Sequence, residues 1–214
     1  LKHPGYKIPK NHLDAVLVIV NTCGFLDSAK EESLSTISSA LSSNGKVIVT
    51  GCLGKDSDTI KKSYPKVLAV TGPSEPTKVL RAVQKAYPKT GKTLRNFLSP
   101  AGIKLTPKHY SYLKISEGCN HSCQFCIIPD LRGRLRSRRM DLILQEAEDL
   151  IKIGTKELLV ISQDTSAYGL DLKHPIQSKK QANILNLCEA LGNLGVWIHL
   201  HYLYPYPHIS KLIP

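Results

Sequence analysis

Long hydrophobic runs are absent from the 214-residue sequence: the longest purely apolar stretch covers residues 15–20. This is far short of the ~18 residues that a membrane span needs. No basic region followed by an apolar stretch indicates a signal peptide, so we expect a cytoplasmic protein with no membrane partner. The only methionine is Met140, and we expect the sequence to be a fragment that lacks both ends of a longer protein. A composition that is 42% hydrophobic and 21% charged excludes a disordered tail, a collagen-like rod and a coiled coil.

Acidic residues are scarce beside basic ones. The sequence has 29 lysines and arginines against 17 aspartates and glutamates, which gives a formal net charge of +12. A surplus of this size favours an anionic partner such as RNA or a nucleoprotein. A basic protein without such a partner, or a fragment whose acidic part lies elsewhere, is the alternative interpretation.

Cysteines are also few. Six cysteines in a chain of this length are too few for a disulfide-stabilised scaffold. Without a secretory signal the compartment is expected to be reducing, and clustered cysteines there indicate metal ligands or catalytic groups. Cys188 lies apart from the others at helical spacing among leucines, so we expect it in the core.

Strand-like and helix-like patterns alternate along the chain, which predicts an α/β fold. We expect an N-terminal βαβ parallel-sheet domain at 1–87, then a linker rich in proline and glycine at 88–108. The first half of a partial (β/α) barrel, truncated, is predicted at 109–214. The predicted strands are 15–20, 46–50, 67–70, 112–116, 157–162 and 196–202, and the predicted helices are 29–41, 56–62, 76–87, 141–153 and 183–194.

Three cysteines, Cys119, Cys123 and Cys126, form a C-x-x-x-C-x-x-C motif directly after a predicted barrel strand. Active sites of such barrels lie at this carboxyl end of the strands. Three thiolates are one fewer than a closed structural zinc or iron–sulfur site requires. The spacing alone therefore leaves two interpretations: a 4Fe-4S cluster with one open iron, or a zinc site whose fourth ligand lies elsewhere, His121 among the candidates.

Two further cysteines, Cys23 and Cys52, each follow a predicted parallel strand and each precede or follow a glycine. Ligands of open parallel sheets gather at the carboxyl ends of neighbouring strands, so both thiols are predicted to reach one shared ligand. A third ligand would then precede Leu1. The alternative is that both are small buried residues with no common role.

Several motifs resemble the methylthiotransferases, which are radical S-adenosylmethionine (SAM) enzymes. They are Asn-Thr-Cys-Gly-Phe at 21–25, Thr-Gly-Cys-Leu at 50–53, and Tyr-Leu-Lys-Ile-Ser-Glu-Gly-Cys-Asn at 112–120. The segments at 161–169 and 201–208 are similar to the branch that modifies ribosomal protein S-twelve. The transfer-RNA branch tends to carry Gln-Asn-Val-Asn-Ala-Tyr at 163–168. Arg138-Arg139 departs from the Arg-Pro usual in the family.

The resemblance implies two 4Fe-4S clusters. One is held by Cys119, Cys123 and Cys126, with SAM on its open iron, and an electron from it cleaves SAM to a 5′-deoxyadenosyl radical. The other is held by Cys23, Cys52 and a cysteine missing from this chain. Phe125 precedes the last cysteine of the motif and, by the resemblance, packs near the adenine of SAM.

Other candidate SAM-binding residues follow from their positions. Gln163 and Asp164 end the second barrel strand and are predicted to point toward SAM, with loop hydrogen bonding as the alternative. Alternating arginines in an extended segment would point to one side. There Arg138 would hold the SAM carboxylate, or all of the arginines would contact a ribosomal surface. The alternative is a solvated basic face. These arginines are Arg132, Arg134, Arg136 and Arg138.

The resemblance further implies the reaction: addition of a methylthio group to the β-carbon of an aspartate of ribosomal protein S-twelve, free or in the small subunit. The expected partners also include an electron donor and RNA. The alternatives are a transfer-RNA adenosine methylthiotransferase, or a non-enzymatic module that binds zinc or an iron–sulfur cluster. By the resemblance, a third cysteine of the N-terminal cluster, the remaining barrel strands and the C-terminal TRAM domain are absent from this sequence. Because the barrel half and the cysteine are missing, we expect the 214 residues alone to be inactive.

Overall fold

The computed structural model describes residue 9 and residues 12–88, 106–172 and 182–212. The described residues up to 88, together with Asp130–Arg132, form one compact unit, and the others form a second. No helix within these ranges is long and apolar enough to cross a membrane. Most of the predicted linker at 88–108 lies outside the described residues, so the domain boundaries stay a prediction.

The first unit is built on a three-stranded parallel sheet in the order β1-β2-β3. Continuous β-branched runs form its centre because both faces are covered: Val47, Ile48 and Val49 have no exposed surface. The strands are β1 (Val18–Thr22), β2 (Val47–Gly51) and β3 (Ala69–Val70), and the helices are α1 (Asp27–Ser43), α2 (Ser57–Ser63) and α3 (Pro76–Ala86).

The bounds of two predicted strands in this unit were wrong. β1 begins at Val18, three residues later than predicted, and runs on to Thr22, because its parallel pairing with β2 begins at Val18–Val47 and ends at Thr22–Gly51. β3 keeps only Ala69–Val70 of the predicted 67–70. Its pairing with β2 covers only Ile48–Ala69 and Val49–Val70, and the amides of Leu68 and Thr71 donate to the Val47 and Val49 carbonyls on either side.

The second unit has a parallel sheet in the order β4-β7-β8 and a short antiparallel pair, β5-β6. Its apolar core lies between this sheet and two helices, with Leu113, Ile143 and Leu187 fully buried. The strands are β4 (Tyr110–Lys114), β5 (Ser116–Glu117), β6 (Arg136–Ser137), β7 (Glu157–Ile161) and β8 (Trp197–Leu200). The helices α5 (Met140–Lys152) and α6 (Ile184–Gly192) pack on it. A short helix α4 spans Ile128–Arg132, and its last three residues are grouped with the first unit. The predicted α/β class with parallel sheets is confirmed.

The predicted extended arginine segment was wrong. Arg132 ends helix α4, and Gly133 follows with a φ of 78° that breaks any regular alternation. Only Arg136–Ser137 is a strand, paired with Ser116–Glu117. The four arginines therefore do not form one row on an extended strand.

Candidate metal centre

The three cysteines of the motif lie on one irregular loop that follows β4 and β5. All are free thiols; Cys119 is buried, Cys126 is half-buried and Cys123 is exposed. Two backbone bonds shape the loop: the Cys119 amide donates to the Gly133 carbonyl at 3.1 Å, and the Cys126 amide to the Cys123 carbonyl at 3.0 Å. A loop with one sheltered thiol and two accessible thiols suits a metal group that is anchored on one side and open on the other.

Gly118 sets the entry to this loop. Its φ is +80°, and a Cβ at this position would overlap the backbone carbonyl of Arg134, so only glycine fits. The Gly118 amide donates to Gln163 Oε1 at 2.8 Å. Gln163, just after β7, thus holds the start of the cysteine loop. Loop hydrogen bonding was the alternative role predicted for it from the sequence, and its contact with SAM stays a prediction.

The buried Cys119 thiol accepts a hydrogen bond from the backbone. The His121 amide lies 3.4 Å from Cys119 Sγ and donates to it. Burial raises the pKa of Cys119, and the negative charges of Asp164, Cys126 and Cys123 raise it further, against the lowering effect of the His121 amide. A positively charged metal group would reverse this balance and favour the thiolate, which is the form that binds metals.

Asp164 lies beside the same thiol. Its side chain is 5% exposed, and its Oδ1 accepts a hydrogen bond from the Ala167 amide at 3.3 Å. Its Oδ2 lies 3.0 Å from His121 Nε2. The potential ligand atoms of Cys119, His121 and Asp164 all lie within 4.8 Å of one another, so the end of β7 and the cysteine loop form one polar centre.

Tyr206 completes this centre, and it was not among the site residues predicted from the sequence. Its hydroxyl donates to Asp164 Oδ2 at 3.0 Å and lies 2.6 Å from His121 Nε2. Burial, together with the hydrogen bond to Asp164, raises the pKa of Tyr206 to about 12, so the hydroxyl keeps its hydrogen at neutral pH. The sequence signal that could have identified Tyr206 is its position after β8, because the loops after parallel strands, the cysteine loop among them, lie at the same end of the sheet.

The two other predicted SAM-binding residues differ in their surroundings. Phe125 is 93% exposed, so its ring is free to cover a ligand on the open side of the loop. The Arg138 guanidinium is already engaged, by Glu146 Oε2 at 2.6 Å and the Lys114 carbonyl at 2.5 Å. These contacts tie Arg138 to α5 and β4, and its contact with SAM stays a prediction.

The remaining cysteine pair lies in the first unit, on the loops after β1 and β2. Because Thr22 is in register with Gly51, Cys23 and Cys52 follow the paired strand ends directly. A Cβ on Gly24 would lie 3.2 Å from Cys52 Cβ, so the two loops are in contact. Cys23 is exposed and Cys52 is buried.

One hydroxyl joins these loops. Thr22 Oγ1 donates to the Thr50 carbonyl at 2.7 Å and accepts from the Leu53 amide at 3.2 Å. On the other side, Ser33 of α1 accepts from the Cys23 amide at 3.0 Å. The positions of both thiol-bearing loops are therefore fixed by side-chain bonds, as a shared ligand would require.

Comparison with known proteins matches each unit to a family. Residues 1–72 match the uncharacterized protein family UPF0004, and residues 113–210 match the Radical SAM superfamily. The chain is 55% identical to the ribosomal protein uS12 methylthiotransferase RimO of Nitrosomonas europaea, over all of this chain and 49% of that protein. It is 56% identical to the proteins of the same name from Mesorhizobium japonicum and Paracoccus denitrificans, over all of this chain and 50% and 46% of those proteins.

The chain thus spans about half the length of the curated relatives it matches. The order of the two matched families is the order of the two cysteine sites, with Cys23 and Cys52 in the first match and the three-cysteine loop in the second. Along its whole length the chain is therefore similar to part of the proteins named ribosomal protein uS12 methylthiotransferase, with a UPF0004 match followed by a Radical SAM match.

Proposed function

We propose that the intact protein is a radical SAM methylthiotransferase that adds a methylthio group to the β-carbon of an aspartate of ribosomal protein uS12. The cysteine loop is the observation that carries the proposal. It presents three free thiols at the carboxyl end of a parallel sheet, inside the segment that matches the Radical SAM superfamily. The names of the similar proteins support uS12 rather than transfer RNA as the substrate.

The donor set of this loop fits a 4Fe-4S cluster with three protein ligands. Cys119, Cys123 and Cys126 would hold it, and when bound it supplies the electron that cleaves SAM. The amide of His121 would donate to the Cys119 sulfur, as it does to the thiol. The exposed Phe125 ring would cover the adenine of SAM and exclude water there.

The second cysteine pair fits a cluster in the same way. Cys23 and Cys52 would supply two thiolates from adjoining loops, and a cysteine outside this sequence would supply the third. This cluster would provide or carry the sulfur that is transferred. An electron donor is required for the reaction, and the net charge of +12 supports contact with the small ribosomal subunit and its RNA in the cytoplasm.

A zinc-binding module is the second candidate, because one observation favours it. Thiolate, imidazole and carboxylate are the three ligand types of zinc, and Cys119, His121 and Asp164 bring one of each within 4.8 Å. In this role the protein would bind zinc tightly and need neither SAM nor iron.

Metal analysis of the intact protein, reconstituted anaerobically with iron and sulfide, tests both candidates. The proposed function predicts about eight irons per chain, four for each cluster. It also predicts an electron paramagnetic resonance (EPR) signal of one reduced cluster that changes when SAM is added. Incubation with uS12 and with transfer RNA then identifies the substrate by mass spectrometry. Zinc in place of iron, or cluster signals indifferent to SAM, would contradict the proposal.

A further inference from the structure

Three loops of the second unit converge on one group of side chains. His121 comes from the cysteine loop, Asp164 from the loop after β7 and Tyr206 from the loop after β8. Asp164 Oδ2 lies 3.0 Å from both His121 Nε2 and the Tyr206 hydroxyl, which are 2.6 Å apart. We call these three residues the Tyr206–Asp164–His121 triad.

The hydrogens of the triad can be assigned from its chemistry. An ionised carboxylate only accepts hydrogen bonds, so Asp164 Oδ2 accepts from the Tyr206 hydroxyl. The hydroxyl has one hydrogen, which leaves none for His121. The His121 Nε2 must then carry a hydrogen of its own, shared between Asp164 Oδ2 and the Tyr206 oxygen. The imidazole is thereby held in one orientation.

Two tyrosine rings also contact the imidazole. The His121 ring is 4.6 Å from the Tyr204 ring and 5.7 Å from the Tyr206 ring, with which it is stacked. The tyrosine loop is itself fixed, because Ser166 Oγ donates to the Tyr204 carbonyl at 2.8 Å. The His121 side chain thus has no freedom to leave, and its backbone is held with it.

The His121 backbone amide donates a hydrogen bond to the buried cysteine sulfur, Cys119 Sγ. Hydrogen bonds to a cluster sulfur favour the reduced cluster, which carries more negative charge, and so raise its reduction potential. Groups that only orient a metal ligand have large effects: their loss typically costs ~10–100-fold in metal affinity or activity.

We propose that Tyr206 is a positioning residue, whose hydroxyl acts with Asp164 to hold His121 so that its amide hydrogen-bonds the Cys119 sulfur of the bound cluster. The inference rests on the proposed function, since it needs a cluster on Cys119. It assigns Tyr206 a part in the stability and potential of the cluster, and no contact with SAM.

The test compares Tyr206→Phe with Tyr204→Phe in the intact, reconstituted protein, without SAM. Each variant removes one hydroxyl and keeps a ring against His121, but only Tyr206→Phe breaks the triad. We expect Tyr206→Phe to lose iron to a chelator about 10-fold faster than the wild type. We also expect a more negative reduction potential in an EPR-monitored redox titration. Tyr204→Phe should match the wild type in both measurements.

Several outcomes would overturn the inference. Equal chelation rates and potentials in Tyr206→Phe and wild type would do so. If a separate SAM titration then showed a change in SAM affinity alone, Tyr206 would be a direct SAM ligand and not a positioning residue. If Tyr206→Phe does not fold, Asp164→Asn must show the same two changes, because its amide nitrogen cannot accept from the tyrosine and the histidine. A wild-type protein with no cluster on Cys119 would overturn the proposed function as well, whereas a normal cluster with an inert Tyr206 would overturn this inference alone.

Discussion

Replacement of Gly118 by alanine should damage the cysteine loop far more than the size of a methyl group suggests. The φ of +80° costs an L-residue ~1–2 kcal/mol. The added Cβ would also overlap the carbonyls of Gly133 and Arg134. These are backbone atoms that cannot rotate away, and forced overpacking of this kind costs ~1–3 kcal/mol. We therefore expect Gly118→Ala to lower the free energy of unfolding by about 2–5 kcal/mol.

Gly195→Ala is the matched control for this substitution. Gly195 has a similar φ of +70°, but a Cβ there would meet nothing within 4 Å. It should show the backbone cost alone, ~1–2 kcal/mol. Urea unfolding of both variants of the intact protein, followed by circular dichroism, measures the difference, and iron content after reconstitution should fall only in Gly118→Ala. Equal destabilisation of the two variants would refute the steric argument.

Three further predictions concern burial and capping. Cys123 is exposed, whereas burial raises the pKa of Cys188 to about 11. Iodoacetamide should therefore label Cys123 of the apoprotein before Cys188, as judged by mass spectrometry, and equal rates for the two thiols would contradict the burial. Because the pKa of Cys188 is higher in the folded protein than in the unfolded chain, its contribution to stability is complete below pH 9 and is lost as the pH rises toward 11. Cys188→Ala should therefore lose less thermal stability at alkaline pH than the wild type. An unchanged pH profile would contradict this. Asn183 Oδ1 accepts from the Asn186 amide at 2.9 Å at the start of α6, so Asn183→Ala should cost ~1 kcal/mol in urea unfolding, and no loss would show that the cap is dispensable.

The sheets were predictable because their signals are local. Val47 to Val49 form a continuous β-branched run, and glycines mark where helices end: Gly154 follows α5 with a φ of 103°, as a helix terminus favours. The places of the cysteines after strand ends were predictable for the same reason, since strand and loop are adjacent in sequence.

The β5–β6 pair and the triad were not predictable in this way. Two-residue strands carry no periodic pattern, and Ser116–Glu117 pairs with Arg136–Ser137 across about twenty residues. The bond between Tyr206 and His121 spans 85 positions, and its partners have no spacing that a single sequence shows. Arg138 illustrates the same difficulty, because its partner Glu146 depends on how α5 packs on the sheet.

The two hydrogen bonds of the Thr22 hydroxyl affect metal binding at Cys23 and Cys52. Because this side chain at the end of β1 bonds both the Thr50 carbonyl of β2 and the Leu53 amide of the loop after β2, the two thiol-bearing loops lose their independent motion when the unit folds. The entropy cost of bringing two ligands together is then met before any metal arrives, so the pair should act as a single preorganised chelate. Thr22→Val would keep the shape of the side chain but remove both hydrogen bonds. The two thiols would then move independently and bind a metal less tightly than the preorganised pair.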